Sequence, residues 1–181
     1  DVPQEFVGDE AHRGDMVWSA AVPEELRSRA TAVIGNFPVS QASQYTRLEW
    51  LQTFSAGVDA YICPGVLPRG TMVTNASGAY GQSVSEHMFA TMWALMKNLN
   101  RYASNQRDHQ WQDEGPVLSP EGGIALIIGV GDIGSHFAQL AQSVGMRTFG
   151  VRRHADVPAK GIEKMYGFER LEALLPLADV V

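Results

Sequence analysis

Hydrophobic and polar positions follow their clearest pattern between Gly122 and Arg153. A short apolar run at Ile124–Ile128, bounded by glycines, is typical of a buried parallel strand. Beyond it, apolar residues recur at helical spacing up to a helix stop at Gly145, namely Ile133, Phe137, Leu140, Ala141 and Val144. A second strand is predicted over Arg147–Val151. The pattern therefore predicts a strand, a glycine-rich turn, a helix and a second strand in succession.

The glycine-rich turn has the sequence Gly129-Val130-Gly131-Asp132-Ile133-Gly134. Gly129 would let the chain turn off the strand, Gly131 would let a pyrophosphate approach the backbone, and Gly134 would let the helix pack closely. The free N–H groups and the positive dipole end of the helix would face the phosphates. We therefore predict that all six residues bind a dinucleotide. The alternative is a structural turn in an α/β protein that binds no dinucleotide.

Short apolar runs separated by helical segments precede this unit. A helix start is predicted at Pro23-Glu24, because proline and acidic residues favour the first turn. Strands are predicted at Ala32–Gly35, where burial is expected, at Leu51–Phe54 and at Thr71–Thr74. Strands that alternate with helices indicate a parallel sheet covered by helices.

A long helix is predicted to begin near Ser83, which stands in capping-box spacing with Glu86. Its apolar positions form a broad stripe, which we expect to be buried against more than one neighbour. The stripe consists of Val84, Met88, Met92, Leu95, Leu99 and Tyr102, widened by Phe89, Trp93 and Met96. The sequence turns polar from Asn100 to Glu114, where Trp111 stands alone. This helix is therefore predicted to link two domains.

These elements predict an α/β fold of two Rossmann-like parallel-sheet domains, over residues 1–103 and 104–181, with the second domain truncated by the chain end. A helix over Glu169–Leu177 and the start of a strand at Ala178–Val181 are the last predicted elements. The second domain would then hold two strands and part of a third, against about six in a complete doubly wound sheet. The chain also begins at Asp1 rather than methionine. We therefore expect it to be part of a longer protein.

Composition narrows the classes of function. Apolar residues make up 45% of the chain and charged residues 19%, and the formal net charge is −6. Lys and Arg do not cluster into a basic stripe, so a nucleic-acid partner is not predicted. No apolar run approaches the roughly 18 residues of a membrane span. The single cysteine, Cys63, excludes an intramolecular disulfide and favours a cytoplasmic location. His154 has no second ligand at metal-binding spacing, so no metal site is predicted.

Three segments together resemble the D-isomer-specific 2-hydroxyacid dehydrogenases, the family that includes glyoxylate/hydroxypyruvate reductases, D-lactate dehydrogenases and phosphoglycerate dehydrogenases. Leu51–Asp59 resembles the family's substrate loop. Val73–Asn75 followed by Val84–His87 resembles a strand and the start of the interdomain helix. Ile128–Gly134 resembles the cofactor fingerprint. The segments stand in the family's order, and the match runs from Ala32 to the end of the chain.

The resemblance implies a two-domain oxidoreductase that transfers a hydride between NAD(P)H and a small 2-oxo acid, of the glyoxylate or hydroxypyruvate type. Ser55, Ala56 and Gly57 would offer backbone N–H groups to the substrate carboxylate, which suits small residues that form an anion nest. The alternative for this loop is an ordinary strand-ending turn. Members of the family pair through the cofactor domain, and Trp111 in its polar connector also favours a homodimer.

No catalytic residue is assigned within the chain, because the family's catalytic arginine, glutamate and histidine are expected beyond Val181. His87 stands at a family position on the interdomain helix, where a packed histidine is expected rather than an acid/base. The 181-residue chain alone is therefore expected to be inactive. Two alternatives stay open, a phosphoglycerate- or formate-type dehydrogenase of the same fold, and a dinucleotide-sensing corepressor-like protein.

The cofactor is predicted to be NADP, with NAD as the alternative. An acidic residue about 20 positions after the glycine motif binds the ribose hydroxyls of NAD and repels a 2′-phosphate. This chain instead carries Arg152 and Arg153 after the second strand. An arginine fork can hold a phosphate through two charge-assisted hydrogen bonds. The alternative is that both arginines are solvated and that Asp156 serves NAD.

Overall fold

A computed structural model describes residues 22–181, and residue contacts divide the chain into two compact units between Ala79 and Tyr80. Within the described residues each unit contains a three-stranded parallel sheet, which confirms the predicted α/β class. The sequence places the domain boundary after residue 103 instead. The division differs because the long helix after Tyr80 packs against the helix of the glycine turn.

The described residues of the first unit form three short strands and two short α-helices. The elements in chain order are α1 (Glu24–Arg27), β1 (Ala32–Ile34), a 3-10 helix (Val39–Gln44), β2 (Trp50–Gln52), α2 (Asp59–Ile62) and β3 (Met72–Thr74). The sheet order is β1-β2-β3, in a register that aligns Val33, Leu51 and Val73. The predicted strands are confirmed, although β2 begins and ends earlier than its prediction.

An aromatic cluster forms the core of the first unit. Phe37 stacks on Tyr45 with ring centroids 4.3 Å apart, and the Tyr61 hydroxyl donates to Phe37 O at 2.5 Å. Leu51 of β2 is fully buried beside them, and burial raises the pKa of Tyr45. The expected burial of β1 is wrong, because Ile34 is 65% exposed. Successive residues of a strand face opposite sides, and the core covers only the side of Val33.

The second unit contains the longest helices of the described residues and its own sheet. Its elements are α3 (Gly81–Met96), α4 (Leu99–Arg107), β4 (Ile124–Ile128), α5 (Asp132–Ser143), β5 (Arg147–Val151), β6 (Lys164–Tyr166) and α6 (Leu171–Leu174). Strands β4 and β5 match their predictions residue for residue. The helix predicted over Glu169–Leu177 is instead α6 flanked by single 3-10 turns at Phe168–Arg170 and Leu175–Leu177.

The strand order of the second sheet reverses at β4. The sheet runs β4-β5-β6, and Val180 forms a parallel bridge to Ala125 on the other side of β4. Leu126 N–H donates to Val180 O at 2.8 Å, which confirms the predicted strand start at the end of the chain. In open α/β sheets, ligands bind at the carboxyl ends of the strands where the order reverses. Here that point is the end of β4, where the glycine turn begins.

Strand β6 was not predicted, and it is tied to the start of β5 by an ion pair. The Arg147 guanidinium donates two hydrogen bonds to Glu163, the residue before β6, at 2.7 and 3.1 Å. These bonds lower the pKa of the Glu163 carboxyl and raise that of Arg147. The short β6 carries only three residues and no alternating apolar pattern long enough to predict a strand.

Two predictions about the long helix are wrong. The helix begins at Gly81, so Ser83 lies inside the first turn, and its hydroxyl donates to Tyr80 O rather than forming a capping box. Glu86 instead accepts a hydrogen bond from Gln82. The helix then ends before Asn98, whose left-handed conformation (φ 53°) separates α3 from α4. A second helix, α4, covers Leu99–Arg107, so the predicted single helix is divided and the polar segment that begins at Asn100 is helical up to Arg107.

The buried face of α3 also differs from the predicted stripe. The buried residues are Gly81, Ser85, Met92 and Met96. These residues lie on one face of the helix, and two of them are small because α3 approaches α5 closely. The two methionines of α3 pack with Phe137, Ala138 and Ala141. Val84, Met88, Leu95, Leu99 and Tyr102, which were expected to be buried, are exposed in the described part of the chain. The pattern of apolar residues therefore predicted the position of the helix correctly but its buried face incorrectly.

Candidate functional site

The turn between β4 and α5 leaves backbone N–H groups unpaired at the start of a helix. Gly129 N–H donates to Val151 O at 2.9 Å, which holds the end of β4 to β5. Gly131 is the N-cap of α5, and no side chain caps the helix. Among residues 22–181, the N–H groups of Asp132 and Ile133 donate no hydrogen bond. Such N–H groups, together with the helix dipole, form an anion site.

The three glycines of the turn differ in what a side chain would meet. Gly129 has φ +95°, a left-handed conformation that favours glycine. A Cβ at Gly134 would lie 2.3 Å from Gly129 O, so this glycine permits the close packing of α5 on β4. A Cβ at Gly131 would meet nothing within 4 Å, although its φ of −101° suits any residue. The open space over Gly131 is therefore a cradle that fits a phosphate group.

Gly81 on α3 lies against the same turn, and sequence reasoning missed it. A Cβ at Gly81 would lie 2.5 Å from Asp132 Oδ1 and 2.6 Å from His136 Nδ1. His136 Nδ1 is also 3.4 Å from Asp132 Oδ1, one helical turn away. The first turn of α3 thus fixes the side of the glycine turn that carries Asp132. No sequence motif marks Gly81, because its role depends on the approach of two helices.

Arg152, a predicted cofactor-binding residue, lies beside the glycine turn, and its guanidinium is largely occupied. Nη1 donates to Val130 O at 3.3 Å, Nε donates to His154 O at 2.9 Å, and Nη2 donates to Val157 O. Arg153 is exposed, and within the described residues it makes no hydrogen bond or ion pair. Of the two arginines predicted to bind the cofactor, Arg152 therefore stabilises the glycine turn through Val130 O. Arg153 is available to bind an external anion.

The loop Ser55–Gly57 follows β2 in the first unit. In the described part of the chain, the N–H groups of Ser55, Ala56 and Gly57 donate no hydrogen bond, whereas all three of their carbonyl oxygens accept one. Two of the donors that hold this loop, Asn36 and Asn75, were not predicted as site residues. The available signal was that each of them follows a predicted strand.

His87 does not occupy the packed position expected for it. It is exposed on α3, and its backbone oxygen accepts a hydrogen bond from the Thr91 hydroxyl. The reason is the rotation of the buried face toward Gly81 and Ser85. Within residues 22–181, no group of three or more His, Cys, Asp or Glu side chains could hold a metal ion. No helix in the same range is long and apolar enough to cross a membrane.

The sequence matches the family model of the D-isomer specific 2-hydroxyacid dehydrogenase, NAD binding domain, over residues 89–181, which is half of the chain. That range contains β4, the glycine turn, α5 and β5. The chain therefore belongs to the D-isomer specific 2-hydroxyacid dehydrogenase family. A nicotinamide dinucleotide is the class of cofactor that this domain binds.

Individual relatives agree with this assignment. A family member from Aeromonas salmonicida has a solved structure that is 29% identical, with a TM-score of 0.77, over 86% of this chain and 50% of that chain. A glycerate dehydrogenase from Methylorubrum extorquens is 24% identical over 88% of this chain and 51% of its own length. D-lactate dehydrogenase from Aquifex aeolicus, solved with NAD and lactic acid, shares the fold at 23% identity and a TM-score of 0.73, over 88% of this chain and 49% of that chain. The chain thus spans about half the length of these relatives.

Proposed function

We propose that the intact protein is an NAD(P)H-dependent reductase of a small 2-oxo acid, of the glyoxylate or hydroxypyruvate type. The observation that carries the substrate class is the loop Ser55–Gly57, whose unpaired N–H groups suit a carboxylate and whose small residues admit a small acid. The similar glycerate dehydrogenase supports the hydroxypyruvate type, since reduction of hydroxypyruvate yields glycerate.

Each unit would contribute binding and orientation. The turn Gly129–Gly134 would hold the cofactor pyrophosphate on the N–H groups at the start of α5. The bound nicotinamide supplies the hydride chemistry. The acid/base and the carboxylate-binding arginine are proposed to lie beyond Val181, so residues 1–181 alone would bind ligands without turning over a 2-oxo acid. Reductase activity from the isolated 181-residue chain would contradict this assignment.

The activity is tested by steady-state assays of the full-length protein with NADPH. Glyoxylate, hydroxypyruvate, pyruvate and 3-phosphohydroxypyruvate are compared at the same pH. We expect kcat/KM for glyoxylate or hydroxypyruvate to exceed the others by at least about 10-fold, since pocket fit to one small group discriminates at that level. A preference for 3-phosphohydroxypyruvate would replace the proposal with a phosphoglycerate-type dehydrogenase.

We further propose that the cofactor is NADP, recognised through the cluster of Arg152 and Arg153. Arg153 has no partner among the described residues and would contact the 2′-phosphate, while Arg152 retains N–H groups beyond the three that bind carbonyls. No acidic residue stands in the first two positions after β5, where NAD would be favoured.

The assembly is proposed to be a cytoplasmic homodimer with no nucleic-acid or membrane partner. Trp111 is fully exposed, and the exposed side chains of Val117 and Leu118 follow it along the chain. Exposed apolar surface of this kind favours burial in an interface between copies. Light scattering of the full-length protein should give the mass of a dimer at micromolar concentration, and Trp111→Glu should shift it toward monomer. A monomeric wild type would refute this proposal.

A further inference from the structure

Side chains from all three strand ends of the first unit meet the loop Ser55–Gly57. Asn36 follows β1, Thr53 follows β2 directly, and Asn75 follows β3 directly. The strands are parallel, so their carboxyl ends lie at one edge of the sheet. None of these three side chains is ionisable, so their contribution is to fix hydrogen bonds.

The first effect of these side chains is to hold the carbonyl groups of the loop. Thr53 Oγ1 donates to Ser55 O at 2.8 Å. Asn75 Nδ2 donates to Ala56 O at 2.7 Å. Ser55 Oγ donates to Gly57 O at 2.8 Å. Ser55 O also accepts a hydrogen bond from Ala76 N–H at 3.2 Å. Side chains alone therefore hold the Ala56 and Gly57 carbonyls, whereas a side chain and a backbone N–H together hold that of Ser55.

Asn36 determines the direction of the hydrogen bond between Ser55 Oγ and Gly57 O. Its Oδ1 accepts from Phe54 N–H at 2.9 Å, which leaves Nδ2 as the atom that donates to Ser55 Oγ at 3.2 Å. Because Ser55 Oγ accepts that bond, its own proton is directed to Gly57 O. Asn36 thus orients a hydroxyl that it contacts and, through it, a carbonyl that it does not contact.

The three hydrogen-bonded carbonyl groups of the loop also fix the direction of the N–H groups that follow them. The described chain contains no cis peptide bond, and in a trans peptide the C=O and the next N–H are antiparallel. The N–H groups of Ala56, Gly57 and Val58 therefore lie opposite the three held oxygens. None of the three donates a hydrogen bond to another described residue. Three successive unpaired N–H groups make a site for an anion.

We propose that Asn36 and Asn75 are positioning residues of the substrate site, which hold the loop carbonyls back so that the N–H groups of Ala56, Gly57 and Val58 receive a carboxylate. The inference rests on the proposed function, because the carboxylate is that of the 2-oxo acid. Without the two amides the peptide planes can rotate, and a carbonyl dipole that faces the carboxylate repels it.

Kinetics of the full-length Asn36→Ala and Asn75→Ala variants test the proposal. We expect KM for glyoxylate to rise about 5- to 10-fold in each, the equivalent of one hydrogen bond, with kcat within about 3-fold and NADPH affinity unchanged. The matched control is Thr71→Val, because Thr71 Oγ1 donates to Leu48 O and Pro68 O at 2.8 Å at the opposite end of the same sheet. Its KM should equal that of the wild type.

A binding measurement separates the possible outcomes. Calorimetry with oxalate, in the presence of NADP, should show the same loss of affinity in both asparagine variants. If an alanine variant does not fold, Thr53→Val takes its place in the series. This substitution removes the hydrogen bond from Thr53 Oγ1 to Ser55 O and retains the shape of the side chain. Folded variants with wild-type KM and wild-type oxalate affinity would overturn the inference alone. A wild type that neither reduces a 2-oxo acid nor binds oxalate overturns the proposed function and the inference with it.

Discussion

The turn Gly129–Gly134 and the loop Ser55–Gly57 present the same chemistry by different means. Each follows the end of a parallel strand and leaves successive N–H groups unpaired. In the glycine turn, the geometry of a helix start directs the N–H groups, and glycines clear the space around them. In the loop, side chains from three separate strand ends direct them.

This difference predicts two kinds of sensitivity to mutation. The glycine turn should be damaged by added atoms, because its function depends on empty space and close packing. The loop should be damaged by removed atoms, because its function depends on hydrogen-bond donors. Substitutions at Gly134 and Gly131 test the first half of this comparison, and a third, smaller effect is expected at the arginines beside the turn.

The largest effect is expected from Gly134→Ala. The added Cβ would lie 2.3 Å from Gly129 O and 3.1 Å from Ile127 Cγ2, so α5 must move away from β4. We expect a loss of about 3 kcal/mol in the free energy of unfolding, the upper end for overpacking. Chemical denaturation of the full-length protein measures it. Gly131→Ala adds the same atom in open space and should stay within about 1 kcal/mol of the wild type; equal losses in the two variants would contradict the packing role.

Gly131→Val should separate binding from folding. A valine side chain would fill the space over the turn while contacting little of the protein, since a Cβ there meets nothing within 4 Å. We expect cofactor affinity to fall about 100-fold, as two charge-assisted hydrogen bonds to phosphate are lost, while the melting temperature changes little. Fluorescence titration with NADPH measures the affinity. Retained affinity would show that the phosphates bind elsewhere.

The smallest effect concerns the choice of cofactor. Arg153→Gln should lower the ratio of kcat/KM for NADPH over NADH by about 10- to 100-fold, because one arginine–phosphate contact is lost. Arg152→Gln should weaken both cofactors together, since Arg152 contacts Val130 O within the turn. Steady-state kinetics with both cofactors distinguish the two cases. If only Arg152→Gln changes the ratio, the assignments of the two arginines are reversed.

The sequence was most informative where structure is local. Strands β4 and β5 and the stop at Gly145 were predicted correctly, because an apolar run, a glycine motif and a helical period lie next to one another in the chain. The buried face of α3 was not predictable, because the small residues Gly81 and Ser85 become buried only through contact with α5. The roles of Asn36 and Asn75 escaped prediction for a related reason. Each acts on a loop about 20 residues away, and no local pattern records such a bond.

The bridge between Ala125 and Val180 has a consequence for how the second unit folds. Strand β4, α5 and β5 follow one another closely, whereas the bond from Ile124 N–H to the Asp179 carboxylate closes a separation of 55 residues. Local contacts form before distant ones, because closing a longer loop costs more chain entropy. During synthesis, one edge of β4 is therefore unpaired until Val180 has left the ribosome. Over that interval the apolar strand is open to pairing with another chain, which exposes β4 to aggregation between nascent chains.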